Sequence, residues 1–130
     1  MLLFEIHATP VPQKQTRFAN GRAYDPSKSD KEQIQWQIRP YAPPIPFKGP
    51  INIDITFYMP IPKNTSSLMR KQMINNVLHH MKRPDVDNLS YLVVNAMKDI
   101  IYEDDSQIVD LNLHKRYAET PRTVIKIREL

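Results

Sequence analysis

Pro84-Asp85-Val86-Asp87-Asn88-Leu89-Ser90-Tyr91-Leu92-Val93-Val94-Asn95-Ala96-Met97-Lys98-Asp99-Ile100 is the stretch that organises this chain. Leu89, Leu92, Val93, Ala96, Met97 and Ile100 recur at the helical period and form one apolar stripe. A helix with such a stripe needs a sheet or another helix to cover it. Asp87 or Asn88 is its natural N-cap. Pro84 favours extended backbone just before it, and in an extended segment Asp85 and Asp87 point to one side, about 7 Å apart. One carboxylate at a helix start is explained by the helix dipole. Two on one side repel each other, and a divalent cation would remove that repulsion. Oxygen-only ligands suit Mg²⁺ or Mn²⁺. The plainer alternative is a doubly acidic helix start with no ligand.

Downstream, Glu103-Asp104-Asp105-Ser106 reads as a turn. Residues 107–117 read as a strand with Val109, Leu111 and Leu113 inward, and residues 123–128 as a final strand. The helix between the two acidic pairs is about 18 Å long. The pairs therefore meet only if the strand after Asp105 runs back along the helix, or if a second subunit supplies the proximity.

Upstream, Ile51–Tyr58 alternates cleanly and is a half-buried strand. Asn64–His79 reads as a helix, ended by Lys82-Arg83-Pro84. Residues 40–50 hold Pro40, Pro43, Pro44, Pro46 and Pro50, a stiff connector. Residues 27–39 read as a helix capped by Ser27 or Ser29 and stopped by Pro40, with Ile34 and Ile38 inward. Arg17–Tyr24 reads as a small hairpin turning at Asn20-Gly21, and Leu2–His7 as a short strand. The fold class expected is α+β: one domain over residues 1–130, with a mixed, mainly antiparallel sheet flanked by helices.

Composition bounds the chemistry. The chain has 130 residues, 41% apolar and 25% charged, an ordinary globular balance. It has no cysteine, which excludes disulfides, thiolate metal sites and cysteine nucleophiles. With only two glycines it cannot build a Gly-rich phosphate loop. Nothing in it reads as a membrane span or secretory signal, so the expected compartment is the cytoplasm. The net charge is +4. Against that basic background stands one acidic island: Asp85, Asp87, Asp99, Glu103, Asp104, Asp105 and Asp110, with Lys98 the lone base among residues 84–110. A basic chain with one acidic island suggests a polyanionic partner and a cation held where the acids converge. A solvated acidic surface is the alternative.

Arg83-Pro84-Asp85-Val86-Asp87-Asn88-Leu89, the apolar helix, Tyr102-Glu103-Asp104-Asp105-Ser106-Gln107-Ile108-Val109 and then Lys115-Arg116 together resemble the RusA family of Holliday-junction resolvases. Pro12 to Tyr24 resembles that family's basic substrate-facing loop. The resemblance covers most of the chain and is strongest from 82 to 117. It implies a small homodimeric endonuclease, often phage- or prophage-borne, that needs Mg²⁺ or Mn²⁺ and nicks four-way DNA junctions symmetrically in recombination and repair. The family's catalytic carboxylates map onto Asp85, Asp87 and Asp105, with Asp104 as a further metal contributor. Some members carry a functional lysine four residues after the second Asp of PDxDN. Here that residue is Tyr91. Lys115 is the first choice for the missing charge, ahead of Lys82 and Lys98.

The DNA-contacting residues expected are Lys14, Arg17, Arg22, Lys82, Arg83 and Arg116. Phe18 and Tyr24 are candidates for stacking on unpaired bases or for anchoring the loop to the core, the second being preferred for Tyr24. Trp36 is assigned to packing. His79 and His80 are adjacent on a predicted helix and point about 100° apart, which argues against a shared metal. Paired nicks on a two-fold junction call for a C₂ dimer, with the 89–100 and 64–79 helices as candidate interfaces. The rivals are a less selective branched-DNA nuclease, a catalytically silent junction-binding protein, and a metal-binding protein with no DNA partner.

Overall fold

A computed structural model describes all 130 residues. Its centre is β4 (Ile51–Pro60). Ile51, Ile53, Ile55, Phe57 and Met59 of β4 are buried, as the alternation requires. Around it lie β1 (Leu2–Ile6), β5 (Ile108–Ala118) and β6 (Arg122–Glu129), in the spatial order β1-β6-β4-β5. β1 and β4 each pair antiparallel with β6, and β4 and β5 run parallel. The sheet is therefore mixed and mainly antiparallel, and the chain is α+β. A separate two-stranded hairpin joins β2 (Arg17–Ala19) to β3 (Arg22–Tyr24). Asn20 and Gly21 both take positive φ at its tip, 52° and 73°, the conformation that selects Asn-Gly there.

Three helices complete the fold: α1 (Lys28–Ile38), α2 (Ser67–Ile74) and α3 (Val86–Met97). α3 buries Leu89, Leu92, Val93, Ala96 and Met97 in one core with the inward side chains of β4, with Phe4 and Ile6, and with Ile125 and Ile127. α1 adds Ile34 and Ile38 to the same core. The parallel step from β4 to β5 is made through α2 and α3, as a parallel pair requires.

Four expectations need correction. The helix predicted to reach His79 ends at Ile74, because Asn76 turns left-handed (φ 59°) and the amides of Val77 and Leu78 fold back onto the Gln72 carbonyl. Val109 and Leu111 are not inward. They are 57% and 40% exposed, because β5 is an edge strand whose first half is left uncovered. Trp36 is 75% exposed, since only Ile34 and Ile38 of α1 meet the core. Tyr24 is also exposed, lying on a hairpin that pairs only with itself.

Candidate functional site

α3 starts three residues before its apolar stripe, because Val86 already packs on the core. Asp85 takes the N-cap seat with extended backbone (φ −69°, ψ 146°), and the helix proper begins at Val86. Asp85 and Asp87 thus share a helix N-terminus instead of one side of an extended segment, and neither Asp87 nor Asn88 is the cap. The Asp85 side chain makes no capping hydrogen bond. Asp87 accepts one from the Asn88 amide at 2.9 Å. Both carboxylates are exposed, and the positive end of the helix favours their charge.

The approach to this acidic start is held from below by β5. Lys115 donates from Nζ to the carbonyl of Lys82 at 2.7 Å and to that of Pro84 at 2.9 Å. Its ammonium is half-buried and grips the loop immediately before Asp85. The Arg83–Pro84 peptide in that loop is cis. Upstream, Leu78 packs against Ile61, Met73 and Tyr117. The His80 ring tilts against Tyr117 with centroids 5.0 Å apart. His80 Nδ1 is buried without a partner. Burial, and then the charge of Lys115, hold His80 below its ordinary pKa.

The N-terminal loop closes the other side. The Gln13 amide donates to the Asn88 carbonyl at 3.2 Å, its side chain donates to Asp25 at 3.1 Å, and the Lys14 amide donates to the buried Ser27 hydroxyl at 2.7 Å. Pro12, Gln13, Arg83, Pro84, Asp85 and Asn88 line an open, mainly polar cleft. Lys14 and the hairpin that carries Arg17 and Arg22 extend from this anchored loop, and Lys82 and Arg83 flank the cleft from the opposite side. All five side chains are exposed. Tyr91 is exposed one turn further along α3. Arg116 follows Lys115 in β5 and so points to the other face of the sheet, away from the cleft.

The second acidic pair lies at the far end of α3. Asp104 caps the short 3₁₀ turn Asp105–Gln107. It accepts from the Ser106 amide at 3.0 Å and from the Ser106 hydroxyl, and it pairs with Lys98 at 3.4 Å. The Ser106 hydrogen bonds, and then Lys98, lower its pKa from 3.8 to about 2. Gln107 closes the box: its Oε1 accepts from the amides of Glu103 and Asp104, both at 2.8 Å, and its Nε2 donates to the carbonyls of Phe47 and Gly49. Asp105 is different. Its Oδ1 is buried and has no hydrogen-bond partner. Beside it Tyr102 is buried, its pKa pushed up by that burial and then by Asp105 and Asp104, so it stays protonated and donates to the Val94 carbonyl at 2.6 Å.

β5 does run back along α3, yet what it delivers to the start of the helix is Lys115, not an acid. Ile108 is level with Ile51, whereas Lys115 is level with Phe57. The seven-residue offset separates Asp105 from the Lys115–Pro84 contact by on the order of 20 Å. No three acidic or histidine side chains in one copy gather where a metal ion would be held. Gln13 and Gln107 escaped the sequence reading. The Asp104-x-x-Gln107 spacing was a legible signal for the second, being that of a capping box.

The model of the endodeoxyribonuclease RusA family matches residues 7–128. The chain belongs to the RusA family. It is also 35% identical over 135 residues to the uncharacterized protein YqaN of Bacillus subtilis strain 168, covering 98% of this chain and 95% of that protein. Membership places this RusA-family protein among DNA-cutting enzymes, and no helix in it is long and apolar enough to cross a membrane.

Proposed function

We propose that this RusA-family protein is a homodimeric endonuclease that resolves four-way DNA junctions with paired, symmetric nicks, using Mg²⁺ or Mn²⁺, in the cytoplasm of a bacterial or phage-infected cell. The observation that carries the reading is the start of α3. Asp85 holds the cap seat without capping, Asp87 stands beside it, and the cleft around them is bounded by the anchored basic loop. In this reading Asp85, Asp87 and Asp105 hold the cation, with Asp104 contributing. The set is all oxygen, as Mg²⁺ and Mn²⁺ prefer. One copy brings these carboxylates together only as two separate pairs, so no chemical step is assigned to the ion. Lys115 supplies the positive charge that Tyr91 lacks and steadies the loop. Lys14, Arg17, Arg22, Lys82 and Arg83 contact phosphates, with Arg116 an outlying contact on the opposite face of the sheet.

The test is mapping of cuts on a four-way junction on denaturing gels with Mg²⁺ or Mn²⁺, with linear duplex and Asp87→Asn as controls. Paired nicks on the junction alone, absent in the variant, are expected. Tight binding without cuts in either metal favours the silent junction-binding protein, a reading that rests on Tyr91 and on the separation of the acids within one copy.

A further inference from the structure

We infer that the face of the sheet turned away from α1 and α3 carries a docking site for an acidic peptide segment of a partner protein. The segment sets one apolar side chain into the groove between Tyr58 and the end of α2, while its carboxylates meet Arg116 and Arg122. The inference goes beyond the nuclease reading and does not depend on it.

The strand register places the site. Along β4, Ile53, Ile55 and Phe57 face the core, so Asn52, Asp54, Thr56 and Tyr58 face the opposite side. Tyr58 is level with Arg116 of β5 and with Arg122 of β6. Neighbouring strands lie about 4.8 Å apart, so two arginines flank one tyrosine with their backbones on the order of 10 Å apart. Arg122 lies over the Tyr58 ring, 4.1 Å from its centroid, and is tied to Glu5 at 3.8 Å. Arg116 donates to the carbonyl of Lys115 at 3.1 Å and pairs with no carboxylate. Glu119, three residues further on, is held by Arg70 at 2.7 Å. A half-buried guanidinium with most of its donors free suits a carboxylate, which accepts two parallel bonds from it.

Beside this row the surface turns apolar. Tyr58, Arg116 and Tyr117 of the sheet and Met73, Ile74 and Asn76 at the end of α2 line an open groove of about 220 Å³. Met73 closes its bottom, packed on Ile61 and Tyr117. The left-handed turn at Asn76 follows the end of α2 and leaves Ile74 at the rim, 49% exposed. An enclosed cavity of about 150 Å³ accepts benzene, so the groove has room for a leucine or phenylalanine side chain.

Charge selects the occupant. A nucleic acid crossing this face would run its phosphates past Glu5, Asp54 and Asp110, which all point to the same side as Tyr58. The Tyr58 ring also has Arg122 on one of its faces, where a base would stack. A short acidic peptide meets only the corner with the two arginines, and its apolar side chain displaces water from Ile74 and Met73. Lys115 and Arg116 alternate in β5, so this corner and the cleft at the start of α3 lie on opposite faces. Peptide and DNA can therefore be held at once.

The test is fluorescence anisotropy of a labelled peptide, a run of aspartates ending in Leu-Phe, titrated with the full chain in metal-free buffer, with and without a four-way junction. Saturable binding is expected, unchanged by the junction. Arg116→Ala, Arg122→Ala and Ile74→Asp should each weaken it about tenfold or more, the scale of a central interface residue, whereas Arg17→Ala should leave it unchanged. Ile74→Asp should bind the junction like wild type, which shows that its fold is intact. A peptide with alanines in place of Leu-Phe should bind about tenfold more weakly. Equal binding of the two peptides overturns the groove, because charge alone then accounts for the association. No saturable binding overturns the site, as does displacement of the peptide by the junction. A single-stranded oligonucleotide that binds with the same dependence on Arg116 and Ile74 assigns the groove to nucleic acid and overturns the peptide. Peptide binding by a wild-type chain that cuts no junction supports this site and counts against the nuclease reading alone.

Discussion

At its N-terminal end α3 presents two carboxylates with almost no structural duty, whereas beyond its C-terminal end one carboxylate is fully occupied and its neighbour is not. Asp104 caps a turn, binds Ser106 twice and pairs with Lys98, while Asp105 keeps a buried oxygen without a partner. The four aspartates therefore divide into one held by several bonds of its own turn and three lightly engaged, of which Asp87 accepts a single backbone amide and Asp85 makes no capping bond. A carboxylate whose lone pairs already accept hydrogen bonds from its own turn holds the backbone in place. One with few or no such bonds keeps lone pairs available to a cation.

The sharpest way to break this comparison is to neutralise each acid in turn. Asp85→Asn, Asp87→Asn and Asp105→Asn should each lower junction cleavage by about a thousandfold or more, since a lost metal ligand removes several kcal/mol of transition-state stabilisation. Junction binding without metal should hold or tighten. Asp104→Asn, which removes a contributing ligand already engaged by Ser106 and Lys98, should cost less, on the order of tenfold. If Asp104→Asn is as damaging as Asp105→Asn, the division between the two fails.

The next effect concerns the loop grip. Lys115→Met should lower cleavage by on the order of ten- to a hundredfold, the scale of losing a group that orients a ligand. Titration should show weaker Mn²⁺ binding, and Lys115→Arg should recover part of the loss. Smaller still is the effect expected at the proposed DNA-binding surface. Arg17→Ala and Arg22→Ala should each flatten the salt dependence of junction binding by about 0.9 in log–log slope per lost phosphate contact. Arg116→Ala should change it less, because that side chain faces away from the cleft.

The smallest effect is thermal. The folded pKa of Asp104 lies below its ordinary 3.8, at about 2. The stability it contributes is therefore present above pH 4 and is lost as pH falls from there towards 2. Melting curves of wild type and Asp104→Asn should differ modestly at pH 6 and converge near pH 2. A gap that persists at pH 2 would mean that the side chain acts by shape and not by charge.

Much of this was legible in residue patterns. The stripe from Leu89 to Met97, the alternation of β4 and the Asn20-Gly21 turn are local signals, and each fixes its element. What escaped the sequence depends on neighbours distant along the chain. Val109 and Leu111 alternate like core residues, and only strand order reveals that they line an uncovered edge. Asn76 could have continued a helix, but its left-handed turn lets the amides of Val77 and Leu78 fold back onto Gln72. Lys115 was singled out for its charge, yet its partners are backbone carbonyls of Lys82 and Pro84, a contact no pattern of side chains announces. The carboxylates of the candidate site are legible as types and spacing. Their separation is not, because it depends on which residue of β5 lies level with the start of α3.

The sheet also has a temporal consequence. Every strand pair in it involves β5 or β6: β1 and β4 each pair with β6, and β4 pairs with β5. While the chain emerges from a ribosome, β1 and β4 have no partner until residues 108–129 follow. A nascent or truncated polypeptide that stops short of Ile108 can carry the Asp85–Asp87 loop but none of the four-stranded sheet that holds it in place. Competence to cut DNA thus arrives with the last strands translated, and a prematurely terminated product is left without a platform for its acids.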